Sequence, residues 1–339
     1  MKQRAKPIKS AKHSLEMHDL YGANLIGKED SLAYEVKISL GEKMQPISVS
    51  VSTSFSGLWV PQRGCANKGE NSRYCPAQGA YDPNESRTSR KVKNGFKRNR
   101  VQTGSYRQDS FAFGTTKCNN LLKLNTPVVF GAASQTVHGD TGELGLGLPN
   151  PSVDGPLTSD QLLDAPIFTT SYKKCSDSGC KKAGILTFGG VDENACEAVT
   201  EWIQVPDSAK QWAVNVDRWT LNNFKYNRVS TTPPTILDPT QPNIQVPDAT
   251  YNAFARQTGA QFSNNEYTVE CDKEWKLELQ IGEQTFEIGH DKLTKETENG
   301  RCKLLIEKSN KWLLGSPFSQ TYCIAHNFEK REVGFSKIK

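Results

Sequence analysis

The side chains of this 339-residue chain that could do chemistry are few and scattered. Nine cysteines stand at Cys65, Cys75, Cys118, Cys175, Cys180, Cys196, Cys271, Cys302 and Cys323, and no two have the Cys-x-x-Cys spacing of a redox pair or zinc hairpin. With only five histidines beside them, no set has the pattern of a zinc site, and neither a metal nor a cofactor is expected. Cys65/Cys75 and Cys175/Cys180 bracket short polar segments, which suits small disulfide loops in an oxidising compartment. Asn84-Glu85-Ser86 is a glycosylation acceptor pattern in a turn-rich stretch. A Ser-His-Asp triad built on Ser52 or Ser316 lacks the elbow motif that exposes a nucleophile. Between Arg87 and Arg100 lie Arg87, Arg90, Lys91, Lys93, Lys97, Arg98 and Arg100, with no acid before Asp109. Such a run can attract an acidic peptide, a sulfated glycan or anionic lipid, or it can be a solvated loop.

The elements that must position these groups are mostly strands. Hydrophobic residues make up 36% and aromatics 9%, which excludes a disordered chain. No stretch approaches the ~18 apolar residues of a membrane span, and nothing has the form of a nucleic-acid module. Ala33–Leu40 alternates, turns at Gly41-Glu42-Lys43, and resumes over Ile47–Val51, predicting a β-hairpin. Further strands are expected at Ser110–Phe113, Val128–Phe130, Ile185–Phe188, Trp202–Val205, Trp212–Val216, Leu277–Ile281 and Trp312–Leu314. Short helices are expected after Thr158 and over Asp248–Thr258. Proline punctuation near Pro206 and Pro233-Pro234 divides the chain at 32–205 and 206–339. Residues 1–31 form a basic segment, a possible propeptide remnant; a secretory signal is absent or was removed.

Seven stretches, in order, carry a resemblance. They are Gly57-Leu58-Trp59-Val60-Pro61; Gly142-Glu143-Leu144-Gly145-Leu146-Gly147; Gly184–Asp192; Thr235-Ile236-Leu237-Asp238; the Cys271/Cys302 pair; Trp312–Phe318; and Val333-Gly334-Phe335. Together they resemble the pepsin-like (A1) aspartic proteases over about residues 32–339, and the surroundings of Cys196 and Cys323 are similar to nematode members. The resemblance implies a mainly β, bilobal fold, with a peptide cleft between two β-rich lobes. It also implies a Cys271–Cys302 bridge; a Cys196–Cys323 bridge is an open expectation, leaving Cys118 as the odd thiol. The implied chemistry is that of two carboxylates sharing one proton and holding a water, their closeness splitting the two pKa values into a base and an acid.

This sequence departs from that pattern at its centre. The first motif reads Ser52-Thr53-Ser54-Phe55, which puts Ser52 at the first aspartate position, and no Asp or Glu lies between Glu42 and Glu70. A hydroxyl is no carboxylate base. Asp238 is retained but is followed by Pro239-Thr240, where the family has a Thr-Gly pair. Pro239 removes a backbone donor and Thr240 adds a Cβ. Thr53 keeps one side of the threonine brace between the loops. In Val101-Gln102-Thr103-Gly104-Ser105 the flap tyrosine position is Val101. Thr53, Val101, Thr103, Gly104 and Thr240 are therefore expected to line the site. The reading is a catalytically inactive homologue, secreted or in an endolysosomal lumen, monomeric, binding a peptide or protein in its cleft, with an acidic partner for Arg87–Arg100. The alternative is an aspartic endopeptidase of weak activity relying on Asp238.

Overall fold

A computed structural model describes residues 21–27, 34–67, 79–114, 122–124, 126–137, 141–148, 166–173, 183–263, 266–297 and 300–339. The expected hairpin forms from Tyr34–Leu40 and Gln45–Ser52, paired from Leu40↔Gln45 to Glu35↔Ser50. Val49 and Val51 point inward from the second strand, which keeps the period-2 alternation that the sequence showed. These strands belong to a 15-stranded sheet. Its middle holds Gln45–Ser52, Glu143–Leu146, Ser56–Asn67 and Val128–Thr136, and one edge is the antiparallel hairpin Arg90–Lys97/Thr103–Asp109.

Towards its other edge the same sheet joins the two halves of the chain. Ile167–Tyr172 pairs with Tyr322–Asn327, which pairs with Glu332–Lys337, which pairs with Trp202–Gln204. Between the halves, His326 stacks on Phe168 with ring centroids 4.2 Å apart, and Trp212 and Phe328 close around the pair. The second half adds a five-stranded sheet and two four-stranded sheets. The helix Asp248–Thr258 buries Tyr251, Phe254 and Ala255 and stops at Gly259, whose φ of 74° suits a residue without Cβ. That helix has the bounds its spacing predicted, while the one expected after Thr158 lies outside the described residues.

Two bridges join cysteines that both lie among the described residues, Cys196–Cys323 and Cys271–Cys302. Cys65 is also disulfide-bonded, whereas Cys75, Cys118, Cys175 and Cys180 lie outside the described residues. No helix among the described residues is long and apolar enough to cross a membrane.

Candidate active site

Two strands end at the candidate site, and the same local pattern delivers both. Gln45–Ser52 runs out at Ser52, with Thr53 and Ser54 in the bend that follows. Thr235–Leu237 runs out just before Asp238. Each has a parallel neighbour: Glu143–Leu146 sets Gly145 beside Ser52, and Leu313–Leu314 sets Leu314 beside Leu237. Next to each loop stands a glycine with no room for a side chain. A Cβ on Gly145 would lie 2.4 Å from the Phe55 carbonyl oxygen, and one on Gly315 would lie 2.3 Å from that of Asn243. This close backbone approach is what the Gly-rich motifs provide.

The two loops are tied across the interface. The buried Thr53 Oγ1 donates to the Leu237 carbonyl at 2.9 Å, and Gln211 Nε2 donates to the Ser54 carbonyl at 3.1 Å. Pro239, following Asp238, carries neither hydroxyl nor N–H and can donate nothing in return. Trp212 Nε1 adds a third tie, to the Leu146 carbonyl at 2.8 Å.

Within this frame Ser52 and Asp238 are both buried. Ser52 Oγ lies 3.1 Å from Ser54 Oγ and accepts the Ser54 N–H at 3.3 Å. Asp238 Oδ1 accepts the Thr240 N–H at 3.1 Å and the Thr240 hydroxyl at 2.6 Å. Burial pushes the Asp238 carboxyl above its ordinary pKa; donation from Thr240 and the Ser54 hydroxyl pull it back, and the charge of Glu143 adds to the rise. A row of hydroxyls, Ser52 then Ser54, thus leads to a single buried carboxylate.

The other acid near this row is Glu143, which register places beside Ser50. Its carboxylate is already engaged. Arg98 holds it through Nε at 2.7 Å and Nη2 at 3.1 Å, and Trp59 Nε1 donates to it at 3.1 Å. The Arg98 guanidinium lies 4.3 Å from the centre of the Phe55 ring. Arg98 belongs to the turn between Arg90–Lys97 and Thr103–Asp109, where its N–H closes onto the Gln102 carbonyl at 3.0 Å. The hairpin tip is therefore fastened to the strand beside the Ser52 loop.

Of the residues singled out from sequence, Ser52, Thr53, Asp238 and Thr240 come together. Val101 sits in the hairpin turn, its N–H donating to Asn99 Oδ1 at 2.7 Å, and Thr103 and Gly104 open the returning strand. The basic run is largely a strand, Arg90–Lys97, where a loop was allowed; its charged side chains are exposed, as the solvated reading expects, and only Phe96 is buried, against Trp59 and Ala133. Sequence reasoning missed Ser54, Arg98 and Glu143. A charged residue in the otherwise apolar Gly142–Gly147 motif was the available signal for Glu143. Among the described residues no group of three or more His, Cys, Asp or Glu is placed to hold a metal.

The family model described as eukaryotic aspartyl protease matches residues 33–338, nearly the whole chain. The chain belongs to the eukaryotic aspartyl proteases. This aspartyl protease is 24% identical to aspartic protease 2 of Necator americanus, over 96% of this chain and 87% of that one. It is 26% identical to aspartic protease 6 of Caenorhabditis elegans, over 89% of this chain and 81% of the relative. Rhizopuspepsin of Rhizopus chinensis is 26% identical over 80% of this chain and 70% of its own. Membership accounts for the paired strand-loop arrangement of this aspartyl protease.

Proposed function

We propose that this aspartyl protease homologue is catalytically silent and acts by binding a peptide or protein in or beside its cleft. Ser52 takes the place of the first of the two aspartates, and Pro239 and Thr240 replace the residues that would support the second. The observation that carries the reading is the state of the carboxylates. Asp238 faces hydroxyls, and the nearby Glu143 is held by Arg98 and Trp59. A lone carboxylate can act as a base, but without its partner acid it forfeits about 10²–10⁴-fold in rate.

The same reading includes a division into lobes near residue 206, residence in a secreted or endolysosomal compartment, glycosylation at Asn84, and a monomer. The bridges Cys196–Cys323 and Cys271–Cys302 support an oxidising compartment, and Asn84 is exposed.

A second reading, weak proteolysis through Asp238, is favoured by burial that pushes the Asp238 carboxyl above its ordinary pKa and by the Thr53 side of the brace, which is formed. The deciding experiment is digestion of a broad peptide library from pH 3 to 7, with the Asp238→Asn variant and pepstatin as controls. We expect no cleavage by the folded protein. Cleavage that both controls remove would establish the second reading.

A further inference from the structure

We propose that the edge strand Arg90–Lys97 is a binding face for a linear sulfated polysaccharide, separate from the cleft. Among the described residues the strand is the last of the large sheet, paired on one side only, with Thr103–Asp109. Arg90, Lys91 and Lys97 on it are exposed, and none of them forms an ion pair among the described residues. Cations around them are matched: Arg63 to Asp82 at 2.9 Å, Arg98 to Glu143 at 2.7 Å, Arg87 to Glu42 at 4.0 Å, and Lys43 to Glu85. Arg90, Lys91 and Lys97 thus share one strand with no acid placed against them among the described residues.

The register adds a second observation. Lys91 stands directly opposite Arg107 on the neighbouring strand. Like charges in that position repel and weaken a sheet. Arg107 itself turns one amino group to the Ser89 hydroxyl at 2.9 Å. A lysine facing an arginine, with no acid from Arg87 to Gln108 in the sequence, gathers positive potential where a partner's anions would offset it.

The hairpin is also held in shape before any partner arrives. Phe96 packs against Trp59 and Ala133, Lys93 lies 4.9 Å from the Tyr106 ring centre, and Arg98 is fixed on Glu143. At the other end Asp109 is buried and accepts Tyr81 OH at 2.7 Å and Thr88 Oγ1 at 2.6 Å. A hairpin already in shape spends little backbone entropy on binding.

The partner's class follows from the edge's irregularity. The pairing slips between Lys91 and Lys93 and again between Asn94 and Phe96. Two such bulges deny an incoming acidic strand a continuous ladder, and lysines on an edge oppose strand addition. A sulfated chain needs no ladder. It presents closely spaced anions along a linear backbone and is held by charge alone.

The test uses the full chain, a heparin-derived octasaccharide, and poly-glutamate of matched charge, with affinities measured over a salt series. The edge variant is Arg90→Gln/Lys91→Gln/Lys97→Gln. The control is Lys210→Gln/Lys225→Gln/Lys311→Gln, which removes the same charge from exposed positions in the second half. We expect the edge variant to bind the octasaccharide about tenfold more weakly and to lower the salt slope by about two to three. The control should keep at least half the affinity. Equal losses in both variants would reduce the effect to net charge and overturn the proposal. So would absence of binding by the parent protein at physiological salt. Binding of poly-glutamate as tight as that of the octasaccharide would overturn the sulfated-chain assignment in favour of an acidic polypeptide. A melting-temperature check on each variant separates loss of the face from loss of the fold. Lys91→Glu supplies an independent arm, because it should strengthen the hairpin against Arg107 while weakening octasaccharide binding.

Discussion

Asp238 illustrates how a buried acid can work against the fold that holds it. Its carboxyl titrates above the ordinary value because burial penalises the charge more than Thr240 and Ser54 can repay. The native state thus holds its proton to higher pH than the unfolded chain does. Over that window the native state binds more protons, so stability falls as pH rises through it. Asp238→Asn keeps an acceptor for Thr240 without the charge. It should therefore raise the melting temperature at pH 7, with the gain shrinking as pH falls towards about 4, where the unfolded carboxyl titrates; a variant less stable than its parent at pH 7 would contradict this account. Ser52, Thr53 and Asp238 were legible from sequence because they sit in motifs of fixed order. Glu143 and Arg98 were not, since parallel pairing across some ninety residues brings Glu143 beside Ser50, and a hairpin turn brings Arg98 onto it.

Among the elements, the strand Tyr322–Asn327 carries an unusual load at His326. The ring is fully buried between Phe168 and Trp212, neither nitrogen makes a well-formed hydrogen bond, and burial pulls its pKa down to about 3 against a weaker opposing pull from the Ile324 and Phe168 backbone. Because the unfolded histidine takes a proton near pH 6.5, stability should drop as pH falls from there towards 3, by up to about 1.4 kcal/mol per pH unit. Urea unfolding of the parent and of His326→Leu at pH 7, 5 and 4 checks this, with the variant expected to show the flatter profile. Short strands with clear alternation and the helix Asp248–Thr258 were readable in advance. The strand Arg90–Lys97 was hidden, because six of its eight positions are polar or glycine and only Phe96 is buried. Its pairing with Thr103–Asp109, and not its own composition, makes it a strand.

The whole molecule is held by bridges of very different reach. Cys271–Cys302 closes 31 residues within the second half, while Cys196–Cys323 closes 127 and links the segment before Trp202 to the strand beside Ile167–Tyr172. On the chain-entropy account a loop near 100 residues contributes about 4–5 kcal/mol, and one near 30 somewhat above 3. Cys196→Ser should accordingly lower the unfolding free energy more than Cys271→Ser does, measured by denaturant titration under oxidising conditions; the reverse order would place the bridges' effect in local geometry. The overall architecture was legible because seven motifs fall in family order; the same resemblance implied Cys271–Cys302 and left Cys196–Cys323 as an open expectation, and both bridges form. The free sheet edge has a last consequence for how these molecules meet one another. Two copies approaching edge to edge would bring Arg90, Lys91 and Lys97 against their own kind. That mutual repulsion guards each molecule against polymerising through an open strand, and the guard fails only where salt or a bridging polyanion cancels it.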